Sequence, residues 1–439
     1  MPSADEPPGS PNPASPDPAS PDPASPDPAR TDWPALTPLI VSAGILLAGN
    51  GLLVTLVAVR ANLEGFSAQL VGYLGAAYFA GFIVACLVTP GLILRAGHIR
   101  VFAALSSLGA VAALVLALTV EPWIWLASRA LTGFAFAGLA TVVESWLNAR
   151  AAAAERGRVL SIYRLVDLSC VTGGQFLLPW IGAEGFAIFV VVAIFFCLAL
   201  LPISLSRQTS PAPPANPRLD VRRIWRLSPV ACVGCLTIGL TNGAFRTVGP
   251  IYAQETALDL EQLALFMSLA IAGGALLQIP LGWLSDRIDR RWVLILATVG
   301  ATGAGLWLSA GGAVSAAAIL AGGFLFGAFA MPLYSLSIAH GNDHASPADR
   351  VELSATLILM YGLGAVVGPL AAGQVMAWFG APAFFAYTSV FHALFLLFVA
   401  YRMSRRAGVP QTRRGRFVAL LRTSPAFYQL ARRAKGKER

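Results

Sequence analysis

Charged side chains are scarce in this sequence: they make up 12% of 439 residues, where a soluble globular chain carries about 25%. A soluble globular enzyme is therefore nearly excluded. Histidine occurs only four times and cysteine five times. The cysteines (Cys86, Cys170, Cys197, Cys232, Cys235) all fall in or at the ends of apolar stretches. Cys232-Val-Gly-Cys235 has redox or zinc spacing, yet no His or further Cys accompanies it, so all five are read as small packing residues. No Gly-x-x-x-x-Gly-Lys loop occurs, which argues against ATP-driven work by this chain alone. The N-terminus has no basic region followed by an apolar core and a cleavage site, so no cleavable signal peptide is expected. The nearest approach to a metal site is His340-Gly-Asn-Asp343-His344, expected in a loop. Gly341 there argues against a rigid site, and no metal or cofactor is predicted.

What the chain has in abundance is apolar sequence, 56% of its residues. Its net charge of +9 is unevenly placed. Residues 1–35 hold six acids and one Arg (−5), residues 402–439 twelve basic residues and one acid (+11), and the body between only +3. The first segment repeats Ser-Pro-Asp-Pro-Ala and reads as a disordered arm. Between the tails lie twelve apolar stretches near the roughly 20 residues that a membrane-crossing helix needs: 36–59, 69–90, 101–120, 123–147, 159–180, 185–205, 229–252, 262–284, 292–311, 314–338, 352–376 and 382–401. The one long internal connector, rich in Pro and Arg, separates the sixth from the seventh. The predicted organisation is a disordered tail (1–35), a six-helix bundle (36–206), a linker (207–228), a second six-helix bundle (229–403) and a basic tail (404–439). The fold class is all-α membrane protein. Fourteen arginines fall on one set of connectors and only Arg60 on the other. Arginine is retained inside, so both termini are predicted to be cytoplasmic, in an inner membrane.

The stretches repeat. At an offset of 192, Asn50-Gly51 recurs as Asn242-Gly243, Gly81 as Gly273 and Arg95 as Arg287. At 194, Gly133 recurs as Gly327, Asn148 as Asn342 and Glu155-Arg156 as Asp349-Arg350. Two diverged halves in the same orientation are the layout in which a midplane site alternates between the two membrane faces.

The segment Gly282-Trp-Leu-Ser-Asp286-Arg287-Ile-Asp289-Arg290-Arg291 resembles the loop signature of the major facilitator superfamily, Gly-x-x-x-Asp-Arg-x-Gly-Arg-Arg, with Asp289 replacing the second Gly. The first-half copy keeps Arg95 and Gly97 but has Leu94 where the family has Asp. Gly97-His-Ile-Arg-Val-Phe102, Arg129-Ala-Leu-Thr-Gly133 and Glu144-Ser-Trp-Leu-Asn148 look like the YcaD-like branch. The resemblance implies two pseudo-symmetric six-helix bundles whose first, fourth, seventh and tenth helices line a cavity. It supplies no substrate. It also implies a gating loop formed by Arg95, Gly97, Gly282, Asp286, Arg287, Arg290 and Arg291, with the second copy carrying more of the gating because the first lacks its acid.

Ionisable groups inside spans are costly and face a cavity or a partner by default. Arg129 and Arg246 each fall about 9 Å deep at 1.5 Å per residue, so they either face the substrate path or snorkel to headgroups. Arg164 and Asp167 share a helical face. Asp167, near the midplane, is read as a proton-coupling carboxylate or as half of a structural ion pair. Asn50, Asn242, Gln175 and Gln278 are further cavity candidates, with polar bridging between helices as the alternative. Glu144, Arg156, Arg158, Asp349 and Arg350 are expected to form ion pairs at the inner face. Gly362-x-Gly364-x-x-x-Gly368-Pro369 is read as small-residue helix packing. The arginine-rich end with Phe417, Leu420, Leu421, Phe427, Tyr428 and Leu430 is expected to rest on anionic lipid.

The function these readings predict is secondary active transport of a small solute, ion- or proton-coupled, by alternating access; the alternative is a transporter-like sensor or anchor. Three intramembrane arginines against one deep acid favour an anionic or amphiphilic solute. The expected partners are the lipid bilayer and that solute, with no nucleic acid and a monomeric state.

Overall fold

The computed structural model describes residues 31, 33–152, 155–205, 220–256, 258–310, 315–346, 349–411, 415 and 417. The proline-rich arm, linker positions 206–219 and tail positions 418–439 lie outside the described residues. Every regular element among those described is a helix: α1 Trp33–Leu63, α2 Ala68–Ala96, α3 His98–Leu118, α4 Pro122–Arg150, α5 Arg156–Gln175, α6 Leu177–Ile181, α7 Ala187–Ser204, α8 Val221–Leu227, α9 Pro229–Ile238, α10 Ala244–Glu255, α11 Leu260–Arg287, α12 Arg290–Ser309, α13 Ala316–Ala330, α14 Leu333–His344, α15 Arg350–Phe379 and α16 Pro382–Arg405. A π-type turn, Gly239–Gly243, joins α9 to α10.

Local chemistry sets the helix ends. Ser67, Ser228 and Ser315 accept hydrogen bonds from the third backbone N–H of α2, α9 and α13, and Asp259 with Gln262 forms a reciprocal capping box on α11. Pro122 and Pro382 occupy first turns, where no backbone donor is lost. Gly97 breaks α2 from α3 at φ 81°, a conformation that favours glycine.

Among the described residues, ten helical spans, with α13 and α14 counted as one, are long and apolar enough to cross a membrane, or eleven when α8 and the α9–α10 unit, bent by 109°, count together. The expected fifth span is the exception: α5 carries Arg156, Arg158, Arg164 and Asp167 in 20 residues and falls short on apolarity. The expected linker contains a helix, α8, capped by the Asp220 carboxylate at 3.0 Å from the Arg223 N–H. One expectation needs correction. His340 and His344 lie on α14, not in a loop, with ring centroids 4.7 Å apart.

Packing explains the repeat. A side-chain carbon on Gly81 would collide with the Ala130 carbonyl, and one on Gly133 with the Tyr78 carbonyl, so α2 and α4 cross backbone on backbone. The repeat partners do the same on α11 and α13: Gly273 faces the Phe324 carbonyl and Gly327 the Ala270 carbonyl. Small residues let helices approach where lipid supplies no hydrophobic drive. Gly364 and Gly368 on α15 likewise press on the Leu236 and Leu240 carbonyls, a packing role for that glycine motif.

α1–α5 and α7 pack chiefly with one another, as do α9–α16. We call the face bearing the Arg-rich loops the basic face and the other the acidic face. The two helix groups meet toward the acidic face. Gly72 abuts the Pro369 carbonyl, Gly75 abuts Thr247, and Gly373 abuts the Ala68 carbonyl. Asn62 Nδ2 donates to Gln254 Oε1 at 3.2 Å.

Candidate functional site

Between the groups lies a cavity of about 100 Å³. Its polar lining is Asn50 and Thr55 from α1, Arg164, Asp167 and Gln175 from α5, and Arg246 from α10; Phe136, Phe245, Met267 and Met331 supply apolar walls. Arg164 Nη1 donates to Asp167 Oδ2 at 2.8 Å, and its Nη2 reaches Gln278 Oε1 on α11 at 3.5 Å. Gln278 in turn donates to Ser335 Oγ at 3.0 Å. Gln175 donates to the Gly51 carbonyl at 3.1 Å. Arg246 has no hydrogen bond or ion pair among the described residues. Two guanidinium groups against one carboxylate leave the lining with one net positive charge.

Three expected cavity residues do not line the cavity. Arg129 is 1% exposed and turns toward α2, its guanidinium 4.6 Å from the centre of the Tyr78 ring. The close crossing at Gly133 brings that ring within reach, and stacking on an aromatic face compensates a cation that a bilayer does not solvate. Asn242 sits in the π-type turn and donates to the Ala330 carbonyl at 3.2 Å, a bridge between helices. Gln278 lies one layer behind the lining, linking Arg164 to Ser335. Tyr78 is a functional neighbour that the sequence reading misses. Its hydroxyl donates to Asn50 Oδ1 at 3.1 Å, connecting Arg129 to the cavity. The available signal is a polar tip one turn before Gly81, in a span that carries no formal charge there.

At the basic face, the loop between α11 and α12 is held by a network. Buried Arg290 bridges Asp286 at 3.2 Å and Asp343 at 3.3 Å. Asp289 accepts from the Arg291 N–H at 3.0 Å and pairs with its guanidinium at 2.7 Å. Arg287 stacks over Trp283 at 3.6 Å. A model of the Major Facilitator Superfamily matches residues 39–258 and 231–434. The chain belongs to that superfamily.

Superfamily membership makes this a multi-pass membrane transporter and not an enzyme. The chain is similar to YcaD of Escherichia fergusonii, an MFS-type transporter, at 25% identity over 344 residues, 76% of this chain and 88% of that protein. YcaD of Escherichia coli O6:K15:H31 is likewise 25% identical over 342 residues, covering 77% and 88%. Two solved structures share its fold. The nucleoside transporter NupG gives a TM-score of 0.70 at 13% identity, covering 84% of this chain and 98% of that one. A bacterial homologue of the human lysosomal transporter Spinster, inward-facing and occupied, gives 0.67 at 14%, covering 94% and 99%.

The departures from the superfamily loop signature now have local reasons. Asp289 stands at φ −60°, ordinary for any residue, so no glycine is required, and its carboxylate caps α12. In the first-half loop Gly97 keeps its positive φ while Leu94 is 56% exposed and Arg95 is exposed. Of the expected inner-face residues, Asp349 pairs with Arg223 of α8, which also reaches Glu352 at 3.4 Å. Arg158 stacks on Trp33 at 5.4 Å, and Arg350 is exposed. Glu144 is 1% exposed, enclosed by the helix packing near the end of α4. The Arg156 side chain lies outside the described residues. The Phe417 ring fills the space that a side chain on Gly282 would need.

Proposed function

We propose that this chain is a twelve-span secondary transporter of small organic anions with an apolar body, working by alternating access around the cavity between its two helix groups. The observation that carries the substrate class is Arg246, a guanidinium in the cavity wall with no protein counter-ion among the described residues. A lone arginine within a span costs up to about 3 kcal/mol on insertion scales. A site that keeps one without a fixed partner is suited to an anion that arrives and leaves. Phe136, Phe245, Met267 and Met331 match an apolar or aromatic body, and Asn50 and Gln175 offer orienting polar groups.

The assignment of spans follows the repeat. The α9–α10 unit supplies the seventh span and α5 the fifth, its Arg164 and Asp167 turned to the cavity and to α11. The two bundles extend over 36–206 and 229–403, with α8 in the linker. The arginine-rich loops support an inner-membrane orientation with the basic face and both termini in the cytoplasm. Closure toward the acidic face makes this the inward-facing form of the cycle. Thermal stabilisation of the purified protein across carboxylates from acetate to decanoate, glucose and tetraphenylphosphonium tests the substrate class. Stabilisation by the longer carboxylates is expected, and a response to the cation alone would overturn it.

Coupling is assigned to the Arg164–Asp167 pair. While Asp167 is ionised it holds Arg164. Protonation removes that hold and frees a second guanidinium for the anion, so a proton and an anion would travel together. Asp167→Asn is expected to abolish uptake driven by a pH gradient in proteoliposomes while carboxylate binding persists. Unchanged pH-driven uptake would leave the pair a structural ion pair.

A further inference from the structure

Beyond the last span, the chain doubles back onto the signature loop of its own second half. The Phe417 N–H donates to both carboxylate oxygens of Asp286, at 2.8 and 3.1 Å. Arg290 Nη2 donates to the Gly415 carbonyl at 2.9 Å, and the Gly415 N–H donates to Asp343 at 3.1 Å. Arg291 Nη1 donates to the Arg406 carbonyl at 2.7 Å, while Arg406 reaches the Leu227 carbonyl at 3.1 Å. Gly408 lies so close to Asp289 and Arg291 that a side chain there would collide with both. The contact is thus read residue by residue. Backbone donors meet carboxylates, backbone carbonyls meet guanidinium groups, and the Phe417 ring seats on Gly282.

The occupied groups are charged side chains at the basic-face ends of α11 and α12. Asp286 stands at the acidic position of the signature, and the first-half loop has Leu94 there. This chain therefore has one such carboxylate across its two signature loops, and its own tail takes it. We propose that Gly415 and Phe417, anchored through Arg406, form a strap that holds the α11–α12 loop and must leave before the basic-face ends of the two helix groups close. The inference rests on the alternating-access reading and adds a regulated step to it: whatever draws the tail away raises the population of the form open at the acidic face.

The test reads that opening directly. Thr247 lies against Gly75 across the closed seam and is 3% exposed. Among the described residues its hydroxyl bonds within its own helix region, to the Gly243 and Ala244 carbonyls, so Thr247→Cys is a mild reporter. Maleimide labelling of residue 247 in the full chain is followed by peptide mass spectrometry. Phe417→Pro deletes the N–H that Asp286 accepts, and Gly415→Pro deletes the one that Asp343 accepts. Each is expected to raise the labelling rate at least fivefold. A wedge at the seam, Gly72→Leu, serves as the control that opens the acidic face independently of the tail. If the wedge raises labelling while both proline variants stay within twofold of the parent, the strap is overturned and alternating access stands. If the wedge also fails to raise it, the alternating-access reading is overturned and the strap with it.

Discussion

A single methyl group added at Gly133 or Gly327 is expected to destabilise the protein by more than about 3 kcal/mol, the upper range for overpacked interiors. At both positions the new carbon would meet a backbone carbonyl, of Tyr78 in one half and Ala270 in the other. Backbone oxygens of a regular helix do not rotate aside as a side-chain tip does. Relief requires two helices to separate over their whole crossing. Intrinsic propensity acts in the opposite direction, since alanine is favoured over glycine in a helix by about 1 kcal/mol. The sign of the result therefore tells which effect governs. Gly303, where an added carbon meets nothing within 4 Å, is the matched control, and Gly303→Ala should be neutral or slightly stabilising. Detergent thermal unfolding of the three alanine variants checks this. Similar losses at positions 133 and 327 would confirm that the two halves share one crossing; a stable Gly133→Ala would show that α2 and α4 are free to slide apart.

That experiment also marks what can be read before any coordinates. The glycine pairs are visible as an offset because a backbone crossing tolerates no substitute, so both halves kept the same residue. The apolar stretches, the linker and the second loop signature are visible for a similar reason: each is a local pattern with one physical cause. Side-chain direction is not legible. Arg129 and Arg246 lie at similar depth from sequence, yet one stacks on Tyr78 and the other lines the cavity. The difference is set by which neighbour each helix face meets, and the π-type turn at Gly239–Gly243 further rotates Asn242 relative to a regular α-helix. The fifth span is legible as apolar only when its charges are attributed to a cavity. Phe417 is beyond reach, since one of several apolar residues in a basic tail looks alike whether it faces lipid or packs on Gly282.

Arg246→Gln is expected to weaken binding of the preferred carboxylate by roughly 10- to 150-fold, which corresponds to the 1.5–3 kcal/mol of a hydrogen bond to a charged group. The lining would fall from one net positive charge to zero, with Arg164 still committed to Asp167 at 2.8 Å. Arg246→Lys keeps the charge and loses the planar fork, so it should recover part of the affinity and little of the selectivity between carboxylates of different shape. The double variant with Asp167→Asn separates charge from position. Removing the aspartate frees Arg164 and restores one net positive charge, now on α5 instead of α10. If total charge alone governs binding, the double variant should bind nearly as well as the parent. If Arg246 is the group that the anion touches, affinity stays low although the charge is restored. Titration calorimetry on the three variants decides between them. The lone guanidinium of α10 shares the cavity wall with Met267 and Met331, where an apolar body would lie with its carboxylate toward α10. The second outcome is therefore expected, and full recovery in the double variant would move the anion contact to Arg164.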